Sequence, residues 1–172
     1  MKVLKASLND LNEIKSIHKI AVKHMNDEHN HNQWLLNDQN FINGIINYIN
    51  NNEFYIVKDN DEIVGFFAMI YGIDTSYNII NGQWLNKKEY VTIHKIAVKY
   101  HRKHIASFIL DYVSSQALLN NIYNIRIDTH KDNVSMNSFL NNKGFCKCGI
   151  ISIKHDFNDL NSLRIAYQKV LK

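Results

Sequence analysis

The 172-residue chain has no proline, six glycines and two cysteines. With proline missing beside abundant asparagine, the bias reads as compositional and carries no functional signal. Cysteine is too sparse and wrongly spaced for a metal knuckle: Cys146 and Cys148 alternate along one expected strand and cannot form C-x-x-C, so buried free thiols are expected. No apolar run approaches the roughly 20 residues that span a bilayer, and the N-terminus lacks the apolar stretch of a secretion signal. A cytoplasmic protein with no membrane partner is expected. The formal charge of +4 is spread along the chain rather than gathered into the dense stripe of a nucleic-acid binder, so nucleic acid is not an expected partner. What is present, 45% hydrophobic and 21% charged residues, suits one globular domain with a sizeable core and excludes disorder. No repeat or internal boundary breaks it.

One stretch organises the rest. From Tyr90 to Leu110, an alternating apolar run passes through a basic turn into an amphipathic run. In a regular strand Val91, Ile93 and Lys95 would share one face, and Thr92, His94, Ile96 and Val98 the other, while Ile105, Ile109 and Val113 recur at helical spacing. Strand, turn and helix follow, with the helix opening near His104. Unpartnered amides and the positive end of the helix dipole make that junction an anion seat, surrounded by Lys99, Arg102 and Lys103. Between Gly82 and Gly144 no glycine occurs, so the turn is expected to avoid left-handed backbone and to hold His104 in helical geometry with its ring outward.

The flanking elements are read the same way. A strand at 2–6 precedes a capping-box word, Ser7-Leu-Asn-Asp10, and a helix carrying Leu11, Ile14, Ile17 and Met25. Asp38 caps a second helix with Phe41, Ile42, Ile45 and Ile49. Strands at 53–58 and 62–70 form a hairpin, with Gly65 marking a bulge. Residues 71–89 form a long polar connection. A strand at 123–129 leads to a helix capped by Asp132 or Asn133, and Gly144 turns that helix into strand 145–153, with a last strand at 163–170. His24, His29 and His31 lack partners at ligand spacing, so no metal is expected.

Two words carry a resemblance. His101-Arg-Lys-His-Ile-Ala106 stands where the GNAT superfamily of N-acetyltransferases has Gln/Arg-x-x-Gly-x-Gly/Ala, matching it only at Ala106. The segment Asp128 to Phe145 is similar to that family's strand, Asn-capped helix and Gly-Phe. The element order matches over nearly the whole chain, and words such as Gln33-Trp34 and Gly82-Gln-Trp84-Leu85 look like a subgroup of small bacterial members. The resemblance implies an α+β fold: a central mixed, mostly antiparallel sheet splayed between its fourth and fifth strands and flanked by about four helices. It implies acetyl-CoA as co-substrate. The phosphates would be held by His101, Arg102, Lys103, His104, Ile105, Ala106 and Ser107, and the pantetheine by main chain at Ile96, Ala97 and Val98, with Asn133 and Phe139 completing the site.

Acetyl transfer to an amine needs a base, an oxyanion donor and a proton for the leaving thiolate. His94 is the first candidate base and His130 the second. The family's frequent tyrosine acid aligns with Leu140, so that acid is absent. Gln33, Trp34 and Trp84, in variable loops, are candidate contacts for the acceptor, a small-molecule or peptide amine. A non-catalytic, CoA-binding module of the same fold is the alternative, and a monomer or homodimer is expected.

Overall fold

Period-two alternation in the chain becomes one sheet in the computed structural model, which describes residues 1–31, 33–101 and 104–172. Its strands are β1 (Lys2–Lys5), β2 (Phe54–Asp59), β3 (Glu62–Tyr71), β4 (Asn81–Gly82), β5 (Val91–Val98), β6 (Asn124–Thr129), β7 (Cys146–Ser152) and β8 (Leu163–Val170). The helices are α1 (Leu11–Asp27), α2 (Gln39–Asn50), α3 (Ile105–Leu119) and α4 (Val134–Asn142). Strand order is β1-β2-β3-β5-β6-β8-β7-β4, and only β5 and β6 run parallel. The expected fold class is therefore the one observed.

Helices cover both faces. On one, α3 packs Ile105, Ile109 and Val113 onto Val64, Phe67, Val91, Ile93, Ile125 and Ile127, with Leu140 of α4 in the same cluster. On the other, Ile14 and Ile17 of α1 and Phe41, Ile45 and Ile49 of α2 cover Phe54, Ile56, Phe66 and Ala68. Helix starts follow the sequence signals. Asp38 accepts from the amides of Asn40 and Phe41, and Asn133 accepts from Met136. Among the described residues no helix is long and apolar enough to cross a membrane.

Two readings of the sequence need correction. Residues 71–89 are not wholly connection: Asn81 and Gly82 pair with Ile150 and Gly149, making β4 the sheet edge. The cysteines are free, but Cys146 is exposed and only Cys148 is buried. A register shift between Lys147 and Gly149 breaks the alternation on which the shared burial rested.

Candidate active site

The site begins where the sheet parts. The β5–β6 ladder holds only Val91–Ile93 against Ile125–Ile127. Beyond Ile93 the strands diverge, although β5 stays paired to β3 as far as Val98. Main-chain groups on the inner edge of β5 thus have no strand beside them and can receive an extended ligand chain. A cavity of about 910 Å³ fills the gap. Ile96, Ala97 and Val98 line its β5 wall, and Asp128 and Thr129 its β6 wall. His101, His104, Ile105, Ala106 and Ser107 line it at the start of α3, and Asn133 and Phe139 line it from α4. Every described residue expected at the cofactor thus borders one cavity. Arg102 and Lys103 lie outside the described residues.

The turn into α3 departs from expectation. His104 is left-handed (φ 57°, ψ 14°), the conformation that glycine adopts most cheaply, and makes no side-chain cap. The backbone therefore takes the glycine-like path without glycine. Left-handed geometry costs a non-glycine residue roughly 1–2 kcal/mol, against about 0.5–1 kcal/mol for the extra chain entropy of glycine. His104→Gly should consequently raise stability by about 0.5–1 kcal/mol, read as a higher urea midpoint. A lower midpoint would show that the imidazole makes a stabilising contact larger than the strain.

Near the parting point stands His94. Its Nε2 lies 2.6 Å from Asp74 Oδ2 and its Nδ1 3.6 Å from Asp128 Oδ1, so the ring sits between two carboxylates. Asp74 also accepts from the Ser76 amide at 2.9 Å and the Ser76 hydroxyl at 2.5 Å. Burial opposes its charge, but the hydrogen bonds from His94 and Ser76 prevail and bring its carboxyl down to about 2. Its stabilising contribution is accordingly complete above the ordinary carboxylate value and is lost only as pH falls through about 2. Tyr77 donates to Asp128 Oδ1 at 2.7 Å. Burial, with Asp128 beside it, raises the Tyr77 phenol well above its usual range and keeps it a donor. With the Nε2 proton aimed at Asp74, Nδ1 keeps its lone pair, and its separation from Asp128 is too long for a direct hydrogen bond. Both groups line the same cavity, so a primary amine there can contact the Nδ1 lone pair and the Asp128 carboxylate together.

The face assignment along β5 changes at Lys95. Ala68 pairs with His94 and Phe66 with Ala97, so Phe67 opposes both Lys95 and Ile96. Lys95 is the extra residue, with φ 51°. Ile96 and Val98 therefore join Val91 and Ile93 on the α3 face, while Ala97 faces α1 and α2. The Lys95 ammonium sits 4.0 Å from the centre of the Phe41 ring in α2. It is on the α1–α2 side with His94, not on the α3 face as regular alternation predicted.

Other expected residues are redistributed. His130 is buried and is not among the residues of the cavity wall; its Nδ1 accepts from the Asp132 amide at 3.3 Å. Trp84 also lies off the cavity. It donates to the Tyr77 carbonyl, and its ring and that of Tyr90 sandwich Arg126. Its indole thereby braces the segment that carries Tyr77. Gln33 and Trp34 do line the cavity. The Gln33 amide oxygen accepts from Asn133 at 2.9 Å and Asn30 at 3.2 Å, pinning the α1–α2 loop to the start of α4. Trp34 packs on Phe41 and His18. At the mouth Glu28 accepts from the Ser135 hydroxyl, and the His24 and His101 rings lie 3.8 Å apart. Among the described residues no cluster suits a metal ion.

Asp74, Asp128, Tyr77 and Lys95 were missed by the sequence reading. Asp128 carried a signal: it is a carboxylate inside an otherwise apolar strand. Asp74 carried only the weak Asp-x-Ser turn pattern.

The Acetyltransferase (GNAT) family model matches residues 14–145. Among solved structures, a GNAT-family acetyltransferase from Streptococcus agalactiae is 24% identical, with 99% of this chain and 95% of that one covered and a TM-score of 0.77. A GNAT-family acetyltransferase from Staphylococcus aureus is 20% identical, with 99% of each chain covered and a TM-score of 0.66. N-acetylglutamate synthase from Neisseria gonorrhoeae, solved with coenzyme A and N-acetyl-glutamate, is 12% identical; 99% of this chain matches 35% of that one, with a TM-score of 0.67. No curated protein matches the sequence. The likeness to these structures shows the same fold, and the family model covers both walls of the split and the helix that opens at its end: this chain is a member of the GNAT acetyltransferase family.

Proposed function

We propose that the chain is an acetyl-CoA-dependent N-acetyltransferase that uses His94 as general base toward a primary amine. The observation that carries this is the place of His94 between Asp74 and Asp128, at the point where β5 and β6 separate. Fit to the co-substrate rests on the unpaired edge of β5, which suits an extended pantetheine, and on the first turn of α3, whose free amides suit phosphate. The structural neighbour solved with coenzyme A supports the same assignment.

In this reading Asp128 receives the acceptor as an ammonium, and His94 Nδ1 takes the proton that frees its lone pair. Asp74 holds the ring in the required orientation and neutralises the imidazolium that forms. The amine nitrogen bonds to the thioester carbonyl carbon, and the carbon–sulfur bond breaks. Main-chain N–H groups on the open edge of β5 face the developing oxyanion. The nitrogen's second proton passes through water to the departing thiolate, since Leu140, buried where the family often has tyrosine, supplies no acid, and the proton on His94 returns to solvent.

Release of free thiol from acetyl-CoA, followed across a panel of primary amines, tests the reading. Amine-dependent release is expected, and acetyl-CoA at 100 times its dissociation constant should stabilise the fold by about 2.7 kcal/mol. The lack of a tyrosine acid favours one other outcome, binding without turnover. That result would replace the enzyme with a CoA-binding module, and neither binding nor turnover would overturn the assignment altogether.

A further inference from the structure

We propose that the acceptor is a small amine that also carries an anionic group, a carboxylate or a phosphate, with the amine received at His94 and Asp128 and the anion at Lys95. This rests on the N-acetyltransferase reading above and narrows its substrate class.

The bulge in β5 brings the argument together. Because Lys95 is the extra residue of the ladder, two consecutive side chains, His94 and Lys95, project toward the α1–α2 side. The lysine stem runs beneath α2, its Cε 3.4 Å from where a Cβ on Gly44 would stand, and its ammonium meets the Phe41 ring inside the cavity wall. Among the described residues no carboxylate forms an ion pair with it. Burial lowers the ammonium to about 8, against the charges of Asp38 and Asp128, which act from a distance. A half-buried cation without a contacting anion, on a left-handed residue, is unfavourable for the fold by itself.

The other charged groups of the cavity wall each have protein contacts of their own. Asp74 is held by His94 and Ser76, and Asp38 Oδ1 caps α2. Lys154 pairs with Asp159 at 2.8 Å, and Arg164 donates to the carbonyls of Asn161 and Leu163. Asp128 uses Oδ1 for Tyr77, which leaves its other oxygen for a ligand. Asp128 and Lys95 thus face the same cavity, with Arg164 as a further cation and Asp38 as a further carboxylate in its wall. A diamine would bring a second positive charge against Lys95, whereas a zwitterion matches both ends. Trp34 and Phe41 then bound the side chain of the acceptor with apolar surface.

Initial rates with acetyl-CoA test this through matched pairs: an amino acid and its amide, and phosphoethanolamine and ethanolamine. The anionic member of at least one pair should be preferred by about 10-fold or more in kcat/KM, the size of a charge-assisted hydrogen bond, and which pair shows it separates carboxylate from phosphate. Lys95→Met should bring that ratio toward unity, mainly through KM, whereas Lys95→Arg should keep part of it. If Lys95→Met does not melt cooperatively, the arginine variant and the wild-type pairs decide. Equal rates within both pairs, or a preference unaltered by Lys95→Met, would overturn the proposal while leaving the N-acetyltransferase reading intact. Turnover of no amine at all would remove both.

Discussion

Replacing His94 by alanine should lower amine-dependent acetyl transfer by about 10²–10⁴-fold, the usual contribution of a positioned general base. The effect should fall on kcat and kcat/KM together, because in this reading Asp128 holds the bound ammonium and the imidazole acts only afterwards, in freeing the nitrogen lone pair. Binding of acetyl-CoA, read by thermal shift, should change little. Asp74→Asn supplies the graded comparison. Asparagine can still accept from His94 Nε2 but cannot neutralise the imidazolium, so a smaller loss, about 10-fold or more, is expected. The two losses should not add in the double variant, since both act through one imidazole. Wild-type turnover in His94→Ala would place the base elsewhere.

The second large effect concerns the fold beneath Asp74. Gly149→Val should destabilise the protein by about 2–4 kcal/mol and reduce turnover as Asp74→Asn does. A Cβ at Gly149 would lie 2.4 Å from the Asn81 carbonyl oxygen and 2.8 Å from Gly82 Cα, and φ is +153°. Gly82 meets Cys148 and Gly149 equally closely from the other side. Two glycines facing each other are what let β4 approach β7. That contact, with the Gln83 amide bound to the Cys148 carbonyl, ties the loop carrying Asp74 to the sheet. Urea unfolding together with kcat measures both consequences. A variant as stable as wild type, with full activity, would show that the β4–β7 contact holds nothing in place.

These effects mark where reading the sequence succeeds and where it stops. Helices α1 and α2 were legible because Ile14, Ile17, Phe41 and Ile45 keep helical spacing and face one sheet surface. The split between β5 and β6 came from the family resemblance, not from spacing. His94 was singled out as an imidazole read onto the face of Ile96 and Val98, a face that the bulge at Lys95 separates from it. Its carboxylate partners were not found, since Asp74 reaches it across 20 residues of sequence and Asp128 from a parallel strand. Trp84 was read as a loop aromatic that suits either a site or surface packing, and in the structure its ring lies against Arg126. His104 shows a local preference overruled: the residue that opens α3 is left-handed although it is not glycine.

With Lys95 set aside, β5 reads Val91-Thr92-Ile93-His94-Ile96-Ala97-Val98, an unbroken apolar alternation in which the same four aliphatic side chains would meet the same core. The lysine is thus one inserted letter in a strand whose shorter spelling is already complete. Its removal would leave the hydrophobic phase intact on both sides. Acceptor choice is thereby separable from foldability within a single strand, so a lineage could gain or lose a charged acceptor contact there by adding or deleting one codon, without first having to rebuild the interior.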